Sequence, residues 1–383
     1  MRIVWLNEHA KFAGGAERYI ADTAVVLRRY GVESTLLHGA GATVEIPFVA
    51  AFEGSFPLVD LRAQLRDLQP DVVYVHQLAD TKSIEWLTHA SYPTVRFFHD
   101  HRMFCLREHK YTTIGHQTCT RPLGIHCYPC LGFIQRHPHF RLRGLAAHNR
   151  ELSLNRDLSA FVVGSDYMRR HLLDHGFEAS KTHVIPPGVS LARQPRAITR
   201  DPQRLLFVGA LLRGKGVDTL LEALALLPAS IYLTVVGDGA QREEFERLAQ
   251  RLGLAQRVVF VPCLPRRRLP DLMASAACVV VPSRTPETFG LVGPEALLCE
   301  TPVVASLIGG VGEWLRPGVT AVAVPPGQPV ALAAGIRQVL SDRPRARRMA
   351  RAGKRRVEEL FTPRGHAAKL LTLLRGLVKE QVA

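Results

Sequence analysis

The chain has 383 residues, 47% of them hydrophobic and 22% charged. That excludes a mainly disordered chain and suits two domains of about 150–200 residues each. Lys and Arg outnumber Asp and Glu by 15, and between Arg343 and Ala383 there are 12 basic side chains against 3 acidic. Such an end fits an anionic membrane surface, a polyanionic substrate or a solvated helix face. Few aromatics interleave with the arginines, which argues against nucleic acid.

Met1-Arg2-Ile3-Val4-Trp5-Leu6 turns polar at Asn7, too soon for a signal peptide. No apolar run approaches the roughly 18–20 residues of a membrane span. The expected location is the cytoplasm, with peripheral contact at the inner face of the cell membrane.

In chain order, short β-branched runs alternate with helical patterns, predicting parallel sheets of βαβ units. The first series has strands at Ile3–Leu6, Ser34–Leu37, Val72–His76, Val95–Phe98 and Ala160–Val163, with a helix over Ala16–Tyr30 ended by Gly31. Pro186–Pro202 is rich in Pro, Arg and small residues and reads as a linker. A second series follows, with strands at Leu205–Val208, Ile231–Val236, Val258–Val261, Cys278–Val281, Val303–Ala305 and Ala321–Val324. Helical patterns cover Val217–Leu227 and Arg242–Leu252, and Pro344 to about Glu380 reads as two helices broken at Phe361-Thr362-Pro363. The predicted domains are 1–185, with a Cys-rich insertion at about 101–135, and 204–360, joined by a linker at 186–203 and followed by a helix at 361–383.

Three glycine-rich turns suggest phosphate chemistry. Gly14-Gly15-Ala16-Glu17 opens the first helix, where free N–H groups attract anions; a plain turn is the competing reading. Gly209-Ala210-Leu211-Leu212-Arg213-Gly214-Lys215-Gly216 follows a strand and nearly matches a P-loop, but Gly216 stands where the Mg²⁺-binding hydroxyl belongs. Arg213 and Lys215 still suit a diphosphate without metal. Gly237-Asp238-Gly239 lacks the third glycine of a dinucleotide fingerprint.

The segment from Pro282 to Ala296 carries two carboxylates eight residues apart, Glu287 before a helix starting near Gly290 and Glu295 within it. Carboxylates accept hydrogen bonds from neighbouring sugar or ribose hydroxyls. A helix cap plus an exposed Glu would explain the bare spacing equally well.

Four cysteines, Cys105, Cys119, Cys127 and Cys130, fall within 26 residues beside His101, His109, His116 and His126. The Cys127-x2-Cys130 pair suggests a structural zinc site; a disulfide or redox pair, unligated thiols and an iron–sulfur cluster compete with it. Cys263, Cys278 and Cys299 read as core packing. His76 ends a strand and reads as structural. Phe140–Arg150, with Arg141, Arg143 and Arg150, suggests contact with lipid or a polyanionic acceptor.

In this order, Gly14-Gly15-Ala16-Glu17, Phe98-His99-Asp100, Val163-Gly164-Ser165, Ile185-Pro186-Pro187-Gly188-Val189, Gly209 to Gly216, Glu287–Ala296, Thr301–Ser306 and Gly309-Gly310-Val311-Gly312-Glu313 closely resemble the family 4 glycosyltransferases, of the glycogen-synthase-like group. The resemblance implies an α/β architecture of two Rossmann-like domains (GT-B) facing across a cleft, with the C-terminal helices packing back toward the first domain. It implies a nucleoside diphosphate sugar as donor, retention of anomeric configuration and no metal for catalysis. Carried over, Lys215 contacts the diphosphate and Glu295 the ribose. Glu287 and the backbone of Phe289-Gly290-Leu291 contact the transferred sugar and its phosphate. His99 faces the donor sugar, and Gly14 and Gly15 lie near the diphosphate. Asp100 and His101 are acceptor-side candidates, although either also suits a cap. Two departures stand out: Ala210 replaces the family's Arg, a charge for which Arg213 is the candidate substitute, and Ser190 ends the linker motif in place of Asp.

The reading is a retaining glycosyltransferase acting on a glycan or lipid-linked acceptor, with His99, Lys215 and Glu287 as catalytic candidates. The competing readings are a nucleotide switch or triphosphatase on 209–216, a sugar-nucleotide-binding protein without transfer activity, and a sugar-nucleotide epimerase.

Overall fold

The computed structural model describes residues 1–78, 80–112, 115, 117–130, 134–135, 141–142 and 144–382. The chain divides into two compact units: residues 1–108, 120–188 and 363–383, and residues 109–119 and 189–362.

The first unit starts with β1 (Arg2–Asn7), α1 (Gly15–Arg28), β2 (Glu33–Gly39), α2 (Ile46–Val49), β3 (Gly54–Leu58), α3 (Leu61–Leu68), β4 (Val72–Val75), α4 (Thr81–Leu87) and β5 (Thr94–Phe97). A two-stranded ribbon, β6 (Ile134–Gln135) and β7 (Arg141–Leu142), precedes α5 (Leu145–Arg156), β8 (Ala160–Val163), α6 (Asp166–Leu173) and β9 (Thr182–Val184). Seven strands form one parallel sheet in the order β3-β2-β1-β4-β5-β8-β9. Its central strands are buried on both faces, as continuous runs such as Val72–Val75 require.

The second unit carries β10 (Asp201–Val208), α7 (Val217–Ala225), β11 (Tyr232–Val236), α8 (Arg242–Arg251), β12 (Val258–Val261), α9 (Leu269–Ser275), β13 (Ala276–Val281), α10 (Val292–Leu298), β14 (Val303–Ser306), β15 (Val322–Val324), α11 (Pro329–Ser341) and α12 (Arg343–Leu360). Its parallel sheet runs β12-β11-β10-β13-β14-β15. Each sheet reverses its strand order once, between β1 and β4 in the first unit and between β10 and β13 in the second. Ligands of open α/β sheets bind at such points, outside the carboxyl ends of the strands.

The last helix, α13 (Pro363–Val382), belongs to the first unit. Ala367, Leu370, Leu371 and Leu374 join Ile20, Ala24 and Leu27 of α1 in one core cluster. A polar tie supports this packing. His366 Nδ1 donates to the Pro186 carbonyl at 2.9 Å, leaving Nε2 to face the Thr23 hydroxyl at 3.4 Å. Burial lowers the His366 pKa to about 4, so the ring is neutral at pH 7.

Several boundaries differ from the sequence reading. β10 begins at Asp201, inside the predicted linker, because a register shift between Asp201 and Leu205 lets the strand pass Pro202. Residues 109–119, placed by sequence in the first domain, pack with the second unit. Cys278 and Cys299 are buried, with thiols pushed up to about 12 by desolvation, whereas Cys263 is exposed and is not a core residue. Among the described residues, no helix is long and apolar enough to cross a membrane.

Candidate functional site

In the second unit, the loops leaving β10, β13 and β14 interlock at the carboxyl edge of the sheet. The amides of Arg284 and Thr285 both donate to the Gly214 carbonyl, at 2.8 and 2.9 Å. Gly310 N–H donates to the Glu287 carbonyl at 2.6 Å, beside a bridge between Glu287 and Gly309. Glycine is required where these loops touch. Gly216 has φ 74°, and a Cβ there would lie 2.0 Å from the Pro282 carbonyl oxygen; at Gly309, φ 63°, a Cβ would lie 2.3 Å from that of Glu287.

This packing brings two sequence-predicted residues together. Lys215 Nζ donates to Glu287 Oε1 at 2.8 Å, and Ser283 Oγ donates to the same oxygen at 2.5 Å. The Glu287 side chain is 13% exposed and that of Lys215 34%. The pair is thus partly withdrawn from water, with the cation still reachable by an anion.

The turn around Lys215 is not a phosphate cradle. Residues 213–215 form a 3₁₀ turn in which Lys215 N–H donates to the Leu212 carbonyl and Gly216 N–H to that of Arg213. Arg213 N–H is directed at Gln241 Oε1, 3.3 Å away. Those amides are spent inside the protein, and the backbone at 216 has no room for a Ser or Thr. A P-loop needs both, so the triphosphatase reading loses its motif.

Arg213 itself is paired with Glu244. Ala210, next to Gly209, is exposed. In this arrangement the guanidinium expected to replace the missing Arg is therefore engaged elsewhere.

Beneath Glu287, Trp314 Nε1 donates to the Phe289 carbonyl at 2.8 Å, and Phe289 packs edge-on against Phe361 with centroids 5.2 Å apart. These contacts fix the backbone of Phe289-Gly290-Leu291. Glu295 lies in the first turn of α10 and is 6% exposed.

Arg284 is a site neighbour that no sequence signal marked. It pairs with Asp218 at 3.1 Å and donates to Thr219 Oγ1 at 2.8 Å and Tyr111 Oη at 2.9 Å, while its carbonyl accepts from Thr118 Oγ1 at 2.8 Å. It thereby ties the segment 109–119 and α7 to the loop that carries Glu287.

In the first unit the candidates also gather at carboxyl strand ends. Gly14 caps α1 without a side-chain hydrogen bond, and nothing lies within 4 Å of where a Gly15 Cβ would be. His76 follows β4 and His99 follows β5; His76 Nδ1 and His99 Nε2 are 2.8 Å apart. The His76 ring is stacked on Trp5 at 5.2 Å, and His99 meets Tyr19 edge-on at 5.2 Å. Burial is the main cause that lowers the His99 pKa to about 3, and it drives His76 well below its ordinary value, so both rings are neutral at pH 7. One ring then donates to the other.

Asp100 accepts from Arg102 N–H at 2.9 Å and Arg102 Nε at 2.8 Å, as a local cap does. His101 is 2% exposed, with its ring against Tyr167 and His171. Arg150 is an exposed partner of Glu85. His116, Phe140 and Arg143 lie outside the described residues.

Cys105, Cys127 and Cys130 belong to the first unit and Cys119 to the second, and all four thiols are free of disulfides. Among the described residues, no group of three or more His, Cys, Asp or Glu side chains is placed to hold a metal ion. The zinc expectation therefore rests on the Cys127-x2-Cys130 spacing alone.

Comparison with known proteins matches both units. The family described as Glycosyltransferase Family 4 matches residues 13–193, and that described as Glycosyl transferases group 1 matches residues 190–356. A D-inositol 3-phosphate glycosyltransferase of Xylanimonas cellulosilytica is 34% identical over 229 residues, 55% of this chain and 54% of its own. A glycogen synthase of Mycobacterium tuberculosis is 34% identical over 221 residues, 56% of this chain and 53% of its own. The chain thus spans about half the length of the curated relatives it matches. Among solved structures, HepE of Anabaena in complex with UDP and glucose superposes with a TM-score of 0.75 at 21% identity, covering 98% of this chain and 100% of HepE. A sucrose-phosphate synthase of Thermosynechococcus elongatus gives 0.77 at 22% identity, covering 99% and 100%. These likenesses establish the fold, two Rossmann-like domains of GT-B type.

Proposed function

The chain belongs to glycosyltransferase family 4, and we propose that it moves a sugar from a nucleoside diphosphate donor to a glycan or lipid-linked acceptor with retention of configuration. The observation that carries this reading is the Lys215–Glu287 pair, held by three interlocked loops at the strand-order reversal of the second sheet. HepE structures hold UDP or UDP-glucose, which makes a uridine diphosphate sugar the first donor to try.

In the proposed reaction the bond between the anomeric carbon and the diphosphate oxygen breaks. The acceptor oxygen bonds to the same face of that carbon, and its proton passes to the leaving diphosphate. The protein has to hold both substrates and meet the charge that develops on the leaving group. Lys215 supplies the cation, and Glu287, already accepting from Lys215 and Ser283, is set to accept from a sugar hydroxyl. Glu295 binds the ribose. His99, neutral and held by His76, offers a hydrogen bond to the donor sugar. In this scheme no metal is needed for transfer.

A thermal-shift screen of UDP, GDP, ADP, TDP and CDP with their common sugars, in EDTA and in Mg²⁺, tests the proposal, since a ligand that binds only the folded state raises its stability. Stabilisation by one sugar nucleotide in EDTA is expected. Stabilisation by ATP or GTP with Mg²⁺ alone would refute it. Isomerisation of the donor without acceptor would instead identify an epimerase. Two adjoining expectations have separate tests: metal analysis of the purified protein for zinc, and vesicle sedimentation for peripheral membrane contact.

A further inference from the structure

At the amino edge of the second sheet, the end away from the interlocked loops, lies a cavity of about 40 Å³. Arg200 and Pro202 flank the start of β10, Ala277 lies at the start of β13 and Pro302 just before β14; Arg343 and Arg347 come from the first turns of α12. One water needs about 10–15 Å³ of such space, so the cavity has room for more than a single water.

Three arginines and no acidic residue line the cavity. Arg200 is half-buried; its Nε donates to the Ala274 carbonyl at 3.2 Å and one Nη to that of Glu300 at 3.0 Å. Arg343 and Arg347 are exposed and have no hydrogen-bond or ion-pair partner among the described residues. The nearby carboxylates are committed elsewhere. Asp342 caps α12 by accepting from Arg345 N–H at 3.0 Å, and Glu300 engages Lys354 and Arg351. Burial and then the charge of Arg347 lower the Arg200 pKa, so the cluster repels itself as it stands. Val339, Leu340 and Ala346 form an apolar wall, which weakens screening and strengthens attraction for an anion. The start of the 18-residue α12 adds its field in the same sense.

We propose that this cavity is a second anion site, one that takes a phosphate group, remote from the donor loops. Guanidinium forks match phosphate oxygens in bidentate pairs. The phosphate belongs either to a soluble phosphate compound or to a lipid headgroup. The site does not depend on the proposed transfer reaction.

Calorimetric titration of the full chain with inorganic phosphate in chloride buffer tests the proposal, together with sedimentation on phosphatidylcholine vesicles with and without phosphatidic acid. The test variant is Arg343→Gln with Arg347→Gln, because neither side chain holds the fold together. Lys215→Ala reports on phosphate bound at the donor loops instead. Wild type and Lys215→Ala are expected to bind alike, within about twofold, and the double variant about tenfold more weakly or worse. Binding of phosphate without vesicles identifies a soluble ligand; vesicle binding that needs phosphatidic acid and is lost in the double variant identifies a headgroup. The proposal is overturned if wild type binds neither probe, if the double variant binds as wild type does, or if Lys215→Ala removes the binding.

Discussion

The ammonium of Lys215 and the carboxylate of Glu287, 72 residues apart in sequence, meet at 2.8 Å. The contact exists because two loops from adjacent central strands are stitched through the Gly214 carbonyl. Replacing Lys215 by Ala removes the ammonium that pairs with Glu287 and leaves the stitching amides in place. Turnover is expected to fall by about 10²–10³, the scale seen when one preorganised electrostatic group is lost. Steady-state kinetics with a sugar nucleotide checks this, and a change within about twofold would remove Lys215 from the reaction.

His76 acts on His99 rather than on a substrate: it is 2% exposed and reaches the ring nitrogen of its neighbour. His76→Phe is expected to lower kcat about tenfold by freeing the His99 ring, with the donor KM much less affected. His76→Asn, which retains a hydrogen-bonding side chain, should recover part of that loss. Equal kcat in wild type and His76→Phe would show that the pair is only packing.

Acid should loosen the first unit. His99 and His366, with ordinary values of 6.5, are lowered to about 3 and about 4, chiefly by burial. Between those values and pH 6.5 the unfolded chain binds more protons, so stability is complete above about pH 6.5 and is lost as pH falls toward 4. Thermal midpoints measured across that range should decline. His366→Gln, which can still donate to Pro186, should show a shallower decline than wild type. An identical slope would mean that His366 titrates alike in both states.

Ala210 and Arg213 make a paired prediction. With Arg213 held by Glu244, the family's missing charge is open to replacement from the exposed position 210. Ala210→Arg is expected to tighten nucleoside diphosphate binding severalfold by calorimetry. Weaker binding would show that the 209–216 loop reaches the ligand from another side.

Gly216→Ser would create the residue a P-loop wants at a place where Cβ meets a carbonyl oxygen at 2.0 Å. The expected result is destabilisation by about 1–3 kcal/mol in denaturant melts, without gain of Mg²⁺-dependent ATP or GTP hydrolysis. Such a gain would restore the triphosphatase reading.

Buried parallel strands are legible because they leave apolar runs of the right length: Ala160–Val163 coincides with β8, and the predicted strand Val72–His76 covers β4. β3 and β9 carry no such run. The first is an edge strand with Gly54 and Pro57, and the second is three residues long. Glu287 and Lys215 were marked by motif context, but their pairing depends on strand order, which local sequence does not encode. Arg284 and the allegiance of residues 109–119 depend on contacts more than 100 residues away.

The most direct measurement is calorimetric titration of UDP-glucose and UDP into wild type and Glu295→Ala in EDTA. Wild type is expected to bind both ligands, and the variant to bind them at least about tenfold more weakly, through the loss of a charged hydrogen-bond partner. Equal affinity in the two proteins, or no binding of either ligand to wild type, would overturn the assignment of the donor site.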